Sequence, residues 1–248
     1  MKKSKVMLFG AMALTAGLAL AACGTSQSSN ADKTYSYIFV NNPDTLDYIT
    51  STRDSTSSIT TNLIDGLLEN DQYGNLIPSM AESWTVSKDG LTYTYKIRQG
   101  AKWYTSEGEE YADVTAHDFV TGLKYAADKK AENLYLVQDS IKGLADYVEG
   151  KSSDFGTVGV KAVDDYTLQY TLNQPETYWN SKTTASILSP VNEAFLKSKG
   201  DDFGSVTPSS ILSNGPYLFK SFTSKSLIEL DKNPNYWDKD NVKIEKVK

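Results

Sequence analysis

Few residues of this chain are of a type and spacing that could do chemistry. The single histidine, His117, has no second histidine to share a metal with, and the only thiol is Cys23, far upstream. A structural zinc site needs several such ligands, so none is expected. No serine occupies a Gly-x-Ser-x-Gly elbow, so nothing marks an acyl-transfer nucleophile. Gly156-Thr157-Val158-Gly159 lacks the lysine and the spacing of a phosphate loop. Glu107, Glu109, Glu110 and Asp113 form a carboxylate cluster, which reads either as a cation site or as a solvated loop. Arg53-Asp54 lies between two Ser/Thr stretches, where its charges could meet a ligand terminus or form an exposed ion pair of small worth. Asn214-Gly215-Pro216 reads as a turn into a strand whose amides a ligand could use. These residues do not assemble into catalytic machinery. The expectation is a protein that is not an enzyme, with no cofactor and no metal.

Cys23 has a different significance. Lys2, Lys3 and Lys5 precede an apolar run from Val6 to Ala22, interrupted by Gly10, Thr15 and Gly17. A basic start, an apolar middle and small residues at the end make a secretory signal. The run falls short of a comfortable membrane span. Leu20-Ala21-Ala22-Cys23 resembles the lipobox of bacterial lipoproteins. That likeness implies a signal peptide over residues 1–22, a diacylglycerol on the Cys23 thiol, and a protein lipid-anchored at the extracellular face of the cell membrane. Residues 23–33 hold no large apolar side chain and read as a flexible tether.

Composition narrows the partners. Removing residues 1–22 takes three of the 25 basic groups and leaves 22 against 31 acidic ones, a net charge of −9. Such a balance argues against nucleic acid, whose partners present basic faces, and against attachment to anionic headgroups by charge. One cysteine allows no disulfide within the chain. Stability must come from a core, and the ~215 residues after the tether can bury one.

The periodicities predict a mixture of helices and hairpins. Thr34–Val40 is a β-type run closed by Asn41-Asn42-Pro43-Asp44. From Ser55, the residues Ile59, Leu63, Ile64, Leu67 and Leu68 recur at helical spacing. Ser83–Val86 and Leu91–Arg98 read as strands around Lys88-Asp89-Gly90, the second with Leu91, Tyr93, Tyr95 and Ile97 on one face. Thr115, with Asp118 three residues on, opens a helix whose inner stripe is Phe119, Val120, Leu123 and Ala127. A weaker helix is expected over Leu134–Tyr147, a hairpin over Val158–Val163 and Tyr166–Leu172, and a helix over Glu193–Ser198. Strands follow at Gly215–Phe222, Ser226–Leu230 and Val242–Val247. Hairpins without a βαβ series make the fold class α+β.

Several segments stand in a telling order. Leu46-Asp47 and a Ser/Thr stretch precede Leu63-Ile64-Asp65-Gly66-Leu67-Leu68. Pro78-Ser79-Met80-Ala81-Glu82-Ser83-Trp84 leads to the stretch from Ser87 to Trp103, and Val114-Thr115-Ala116-His117-Asp118-Phe119-Val120 follows. Asn214-Gly215-Pro216-Tyr217 and Asn233-Pro234-Asn235-Tyr236-Trp237 stand near the end. In this order the chain resembles the family 5 solute-binding proteins of ABC transporters, closest to Gram-positive oligopeptide-binding lipoproteins.

The resemblance implies a periplasmic-binding-protein-like type II fold, mixed α/β, whose two lobes close over a ligand. It implies a discontinuous domain I over 34–63 and 193–248 and a domain II over 64–192, with a second lobe not contained here. The chain therefore reads as the N-terminal part of a longer protein. Relatives continue the Lys-Trp motif with a short turn; Tyr104–Asp113 is longer and acidic, and an extended surface loop is expected. The resemblance puts peptide contacts at Thr52, Arg53 and Asp54, at Asn214, Gly215 and Tyr217, and at Tyr135. It implies oligopeptides as ligands, permease subunits as partners, and a monomer without nucleic acid. Two other readings stand beside it: a receptor for a signalling peptide, nickel or haem, and a truncated surface lipoprotein that binds nothing.

Overall fold

A computed structural model describes residues 33–248; the expected signal peptide, Cys23 and the tether up to residue 32 lie outside the described residues. Along the chain run β1 (Thr34–Tyr35), α1 (Asp54–Thr60), β2 (Leu68–Asn70), β3 (Leu76–Pro78), β4 (Ala81–Val86), β5 (Thr92–Ile97), β6 (Lys102–Tyr104), β7 (Glu110–Asp113) and α2 (Ala116–Asp128). A 3-10 turn at Glu132–Leu136 leads to α3 (Leu144–Val148), β8 (Val160–Asp164), β9 (Thr167–Thr171), α4 (Trp179–Lys182) and α5 (Glu193–Lys199). The described chain closes with β10 (Tyr217–Thr223), β11 (Leu227–Lys232) and β12 (Lys246–Val247). None of the described helices is long and apolar enough to cross a membrane.

Two four-stranded sheets organise these elements. One has the order β4-β5-β9-β8, antiparallel throughout. Its alternation works as the pattern requires: Tyr93, Tyr95 and Ile97 of β5 and Leu168 and Tyr170 of β9 turn inward. Trp179 of α4 stacks into that face, its ring 5.3 Å from Tyr170 and 6.1 Å from Tyr93. The other sheet has the order β1-β12-β11-β10, with β1 parallel to β12. It draws its strands only from residues 34–35 and 217–247.

Helix α2 starts where the capping pattern places it. The Thr115 backbone N–H donates to Asp118 Oδ2 at 2.8 Å, satisfying a donor that the first turn leaves without a partner. Trp103 Nε1 donates to the same oxygen at 3.1 Å, so the cap is also a tertiary anchor. Burial pushes the Asp118 carboxyl up to about 6 despite those donors. Phe119, Leu123 and Ala127 are buried as the stripe predicts, and Val120 is half-buried. At Gly122 any Cβ would collide with the Ser189 carbonyl, which explains a glycine in mid-helix.

Four expectations need correction. The first helix stops at Thr60 although its apolar spacing continues. The Leu63 carbonyl there is claimed by Ser213 Oγ (2.7 Å), Asn214 N (3.1 Å) and Gly215 N (2.8 Å), so the backbone turns away from helical geometry. The helix expected over Leu134–Tyr147 is broken, because Lys142 N donates to the Thr171 carbonyl (3.0 Å) and Gly159 N to the Lys142 carbonyl (2.7 Å). The strand run expected to Val40 ends at Tyr35. Tyr104–Asp113 is no loose loop: β6 and β7 pair as a hairpin, and Lys220 of β10 donates to the Ser106 carbonyl at 2.6 Å. Its acidic residues meet lysines. Lys102 meets Asp113 (2.9 Å) and Glu110 (3.6 Å), and Lys220 meets Glu107 (3.1 Å).

Candidate functional site

A large open groove of 1280 Å³ lies among the described residues. Its floor is built by the extended segment Tyr37–Asn42, by Thr52, Arg53 and Asp54 at the start of α1, and by the β10–β11 turn. The segment entering α1 is held from behind. Asp47, 7% exposed, accepts from Ile49 N (3.1 Å), Thr50 N (3.2 Å), Thr50 Oγ1 (2.6 Å) and Tyr125 OH (2.9 Å). Every lone pair it offers is used, so residues 47–50 form a rigid base for the exposed stretch that follows.

On that base Thr52 is left open. Its backbone N–H and C=O have no hydrogen-bond partner among the described residues, while the Arg53 carbonyl caps α1 by accepting from Thr56 N and Ser57 N, both at 3.0 Å. Exposed, unpaired backbone leading into Arg53, whose own backbone is extended (φ −82°, ψ 136°), is what an added strand requires. Arg53 does not pair with Asp54; its Nε lies 3.0 Å from Asp44 Oδ2, with both side chains exposed. Asp54 forms no ion pair among the described residues.

The structure adds a residue that the sequence did not single out. Thr52 Oγ1 donates to Glu132 Oε2 at 3.1 Å, across 80 positions of chain. Glu132 opens the 3-10 turn that carries Tyr135. Three residues make one turn of such a helix, so Tyr135 lies on the same side as Glu132, and it is 74% exposed. The hydrogen bond joins Glu132 to Thr52, whereas neither Glu132 nor Tyr135 lines the groove. No local signal marks Glu132.

Asn214, Gly215 and Tyr217 lie elsewhere and do not line the groove. Asn214 is 2% exposed and its amide bonds the Asp65 backbone twice, at 2.9 and 3.1 Å. At Gly215 a Cβ would come within 2.8 Å of the Leu63 carbonyl. Tyr217 is buried, its hydroxyl donating to the Ile244 carbonyl at 3.1 Å. His117 is exposed, 3.4 Å from Asp165.

Known proteins share this architecture. The substrate-binding domain of an oligopeptide ABC transporter from Bacillus anthracis superposes with a TM-score of 0.80 at 33% identity, over 88% of this chain and 41% of that one. Listeria monocytogenes OppA bound to peptide gives 0.80 at 32% identity, over 88% and 42%. Both have the periplasmic-binding-protein type II fold. The oligopeptide-binding protein AliB of Streptococcus pneumoniae serotype 4 is 65% identical over 246 residues, 99% of this chain. The chain spans 37% of that curated relative's length. The family model for the middle part of the bacterial extracellular solute-binding proteins, family 5, matches residues 75–248. With both sheets, the capped helix α2 and the ordered motifs in place, the chain belongs to the bacterial extracellular solute-binding proteins of family 5.

Proposed function

We propose that this chain captures oligopeptides as the extracellular, lipid-anchored binding component of an ABC importer and delivers them to the membrane permease. The observation that carries this reading is the open Thr52 backbone on a rigid base at the edge of a large groove. Backbone pairing of this kind takes peptides of many sequences, because it ignores side chains. Support also comes from the 65% identity to a protein named for oligopeptide binding. Arg53 and Asp54 flank the pairing edge and contact the ligand, Glu132 holds the Thr52 side chain, and Tyr135 is a further contact in this reading. Asn214, Gly215 and Tyr217 contribute by holding the segment at Leu63–Asp65 in place behind it.

In this reading the protein catalyses nothing and acts as a monomer. Cys23 carries the lipid that keeps it at the outer face of the membrane. The anchor's two acyl chains hold the acidic domain where charge alone would not. Isothermal titration of the chain with a mixed pool of short peptides tests the capture step. Saturable heat supports it; absence of heat, with the fold intact by circular dichroism, overturns it.

A further inference from the structure

The groove holds a second stretch of open backbone, apart from Thr52. The parallel ladder between β1 and β12 runs on past the strands themselves: Lys248 N donates to the Tyr35 carbonyl and Tyr37 N to the Lys248 carbonyl, both at 2.9 Å. Past Tyr37, the backbone groups of Ile38, Phe39 and Val40 have no hydrogen-bond partner among the described residues. The side chains show that this stretch is extended. The Tyr35 and Tyr37 rings lie 5.7 Å apart and those of Tyr37 and Phe39 4.9 Å apart, so alternate residues share one face. Tyr37 and Phe39 pack against the core. Ile38 and Val40 turn the other way, and each is 91% exposed.

Two bare β-branched side chains, ~7 Å apart along an unpaired strand, form one half of a row of cross-strand pairs. Both line the groove, and so does the exposed Leu227. Charge marks one end of the row. The Asn42 side chain, two residues past Val40, accepts from Lys225 N (3.0 Å) and donates to Ser224 Oγ (2.9 Å), which fastens the β10–β11 turn to this segment. Lys225 is held there at φ 58°, a left-handed conformation that lysine seldom adopts. The other cations of the lining are engaged, Arg53 with Asp44 at 3.0 Å and Lys248 with Glu229 at 3.7 Å. Lys225 is exposed and forms no ion pair among the described residues.

Open backbone, alternate apolar side chains and a cation at one end together describe an extended peptide as the occupant. Resting on peptide capture at this groove, we propose that the backbone of residues 38–40 pairs with the ligand in the sense of β12. Ile38 and Val40 then take apolar side chains at alternate ligand positions, and Lys225 takes the ligand's terminal carboxylate. A ligand running parallel to the segment brings its carboxyl end to the Val40 end, where Lys225 stands. Backbone pairing still admits any sequence; the apolar pair and the lysine grade the affinities.

Calorimetric titration of the full chain with defined tetrapeptides tests this. Val-Gly-Val-Gly as the free acid should bind about tenfold tighter than Ser-Gly-Ser-Gly, and about fivefold tighter than its own C-terminal amide or than Val-Val-Gly-Gly. The double variant Ile38→Ser with Val40→Ser should erase the preference for valine, at exposed positions whose change leaves the core alone. Lys225→Gln should erase the preference for the free acid, and Lys225→Arg should keep it. Equal affinity for all the peptides, or preferences that survive in these variants, overturns this inference and leaves peptide capture standing. No binding of any peptide overturns both. Sedimentation that shows a dimer of the chain, lost in the Ile38→Ser and Val40→Ser variant, would assign the edge to a second copy and overturn the inference as well.

Discussion

The Asn214 side chain bonds both backbone groups of Asp65: its Oδ1 accepts from Asp65 N at 2.9 Å and its Nδ2 donates to Asp65 O at 3.1 Å. One amide thereby replaces a strand partner, joining segments 149 residues apart at a place closed to water. Asn214→Ala leaves a buried N–H and a buried C=O without partners. The expected loss is about 2–4 kcal/mol of unfolding free energy. Urea denaturation measures it, and a loss below about 1 kcal/mol would show that the segment has other means of support.

A second buried pairing concerns Glu176, 4% exposed, whose Oε2 lies 2.9 Å from Lys182 Nζ. Lys182 also donates to Ser140 Oγ at 2.6 Å. Lys182→Met strands a buried carboxylate and should cost about 3–5 kcal/mol. Adding Glu176→Gln removes the stranded charge and should recover most of that loss. A double-mutant cycle by denaturation checks this; full additivity would mean that the two side chains do not interact.

Asp118 predicts a pH dependence with a definite sign. Burial raises its carboxyl from the ordinary 3.8 to about 6, so the folded state holds the proton more tightly than the unfolded chain. Its contribution is fully present below about pH 4 and is lost as pH rises through about 6. Asp118→Asn cannot titrate. The stability difference between wild type and variant should therefore move by roughly 3 kcal/mol toward wild type as pH falls from neutral to 4. A difference independent of pH would remove Asp118 as the cause.

On the groove, Thr52→Pro removes the unpaired N–H and takes from the fold only the exposed Oγ1 bond to Glu132. Peptide affinity should fall about tenfold or more, with the melting midpoint nearly unchanged. Glu132→Ala should weaken binding less, since it removes a side chain that positions Thr52 at 3.1 Å. Calorimetry separates these cases, and unchanged affinity in Thr52→Pro would rule out backbone pairing at this edge.

Cys23→Ala should release the protein from the membrane fraction into the medium and abolish labelling by a palmitate analogue. Retention in the membrane after this change would mean that something other than a thiol-linked lipid holds it.

Much of the fold is legible in local sequence, wherever a short-range rule decides. The alternation at Tyr93, Tyr95 and Ile97 makes β5, the pattern from Thr115 to Asp118 opens α2, and Asn192 caps α5 by accepting from Phe195 N at 3.0 Å. The ordered motifs were enough to indicate the family, and Thr52, Arg53 and Asp54 could be placed together because they are adjacent. What sequence could not decide depends on partners far along the chain. The first helix stops at Thr60 because residues 213–215 take the Leu63 carbonyl, and helical spacing in the apolar residues carries no trace of that competition. The Tyr104–Asp113 insertion is ordered by a lysine on β10, and Glu132 reaches Thr52 only once α2 has set the 3-10 turn beside it. Local periodicity records which face of an element is apolar; hydrogen bonds between distant segments decide where that element ends and which polar groups remain open to a ligand.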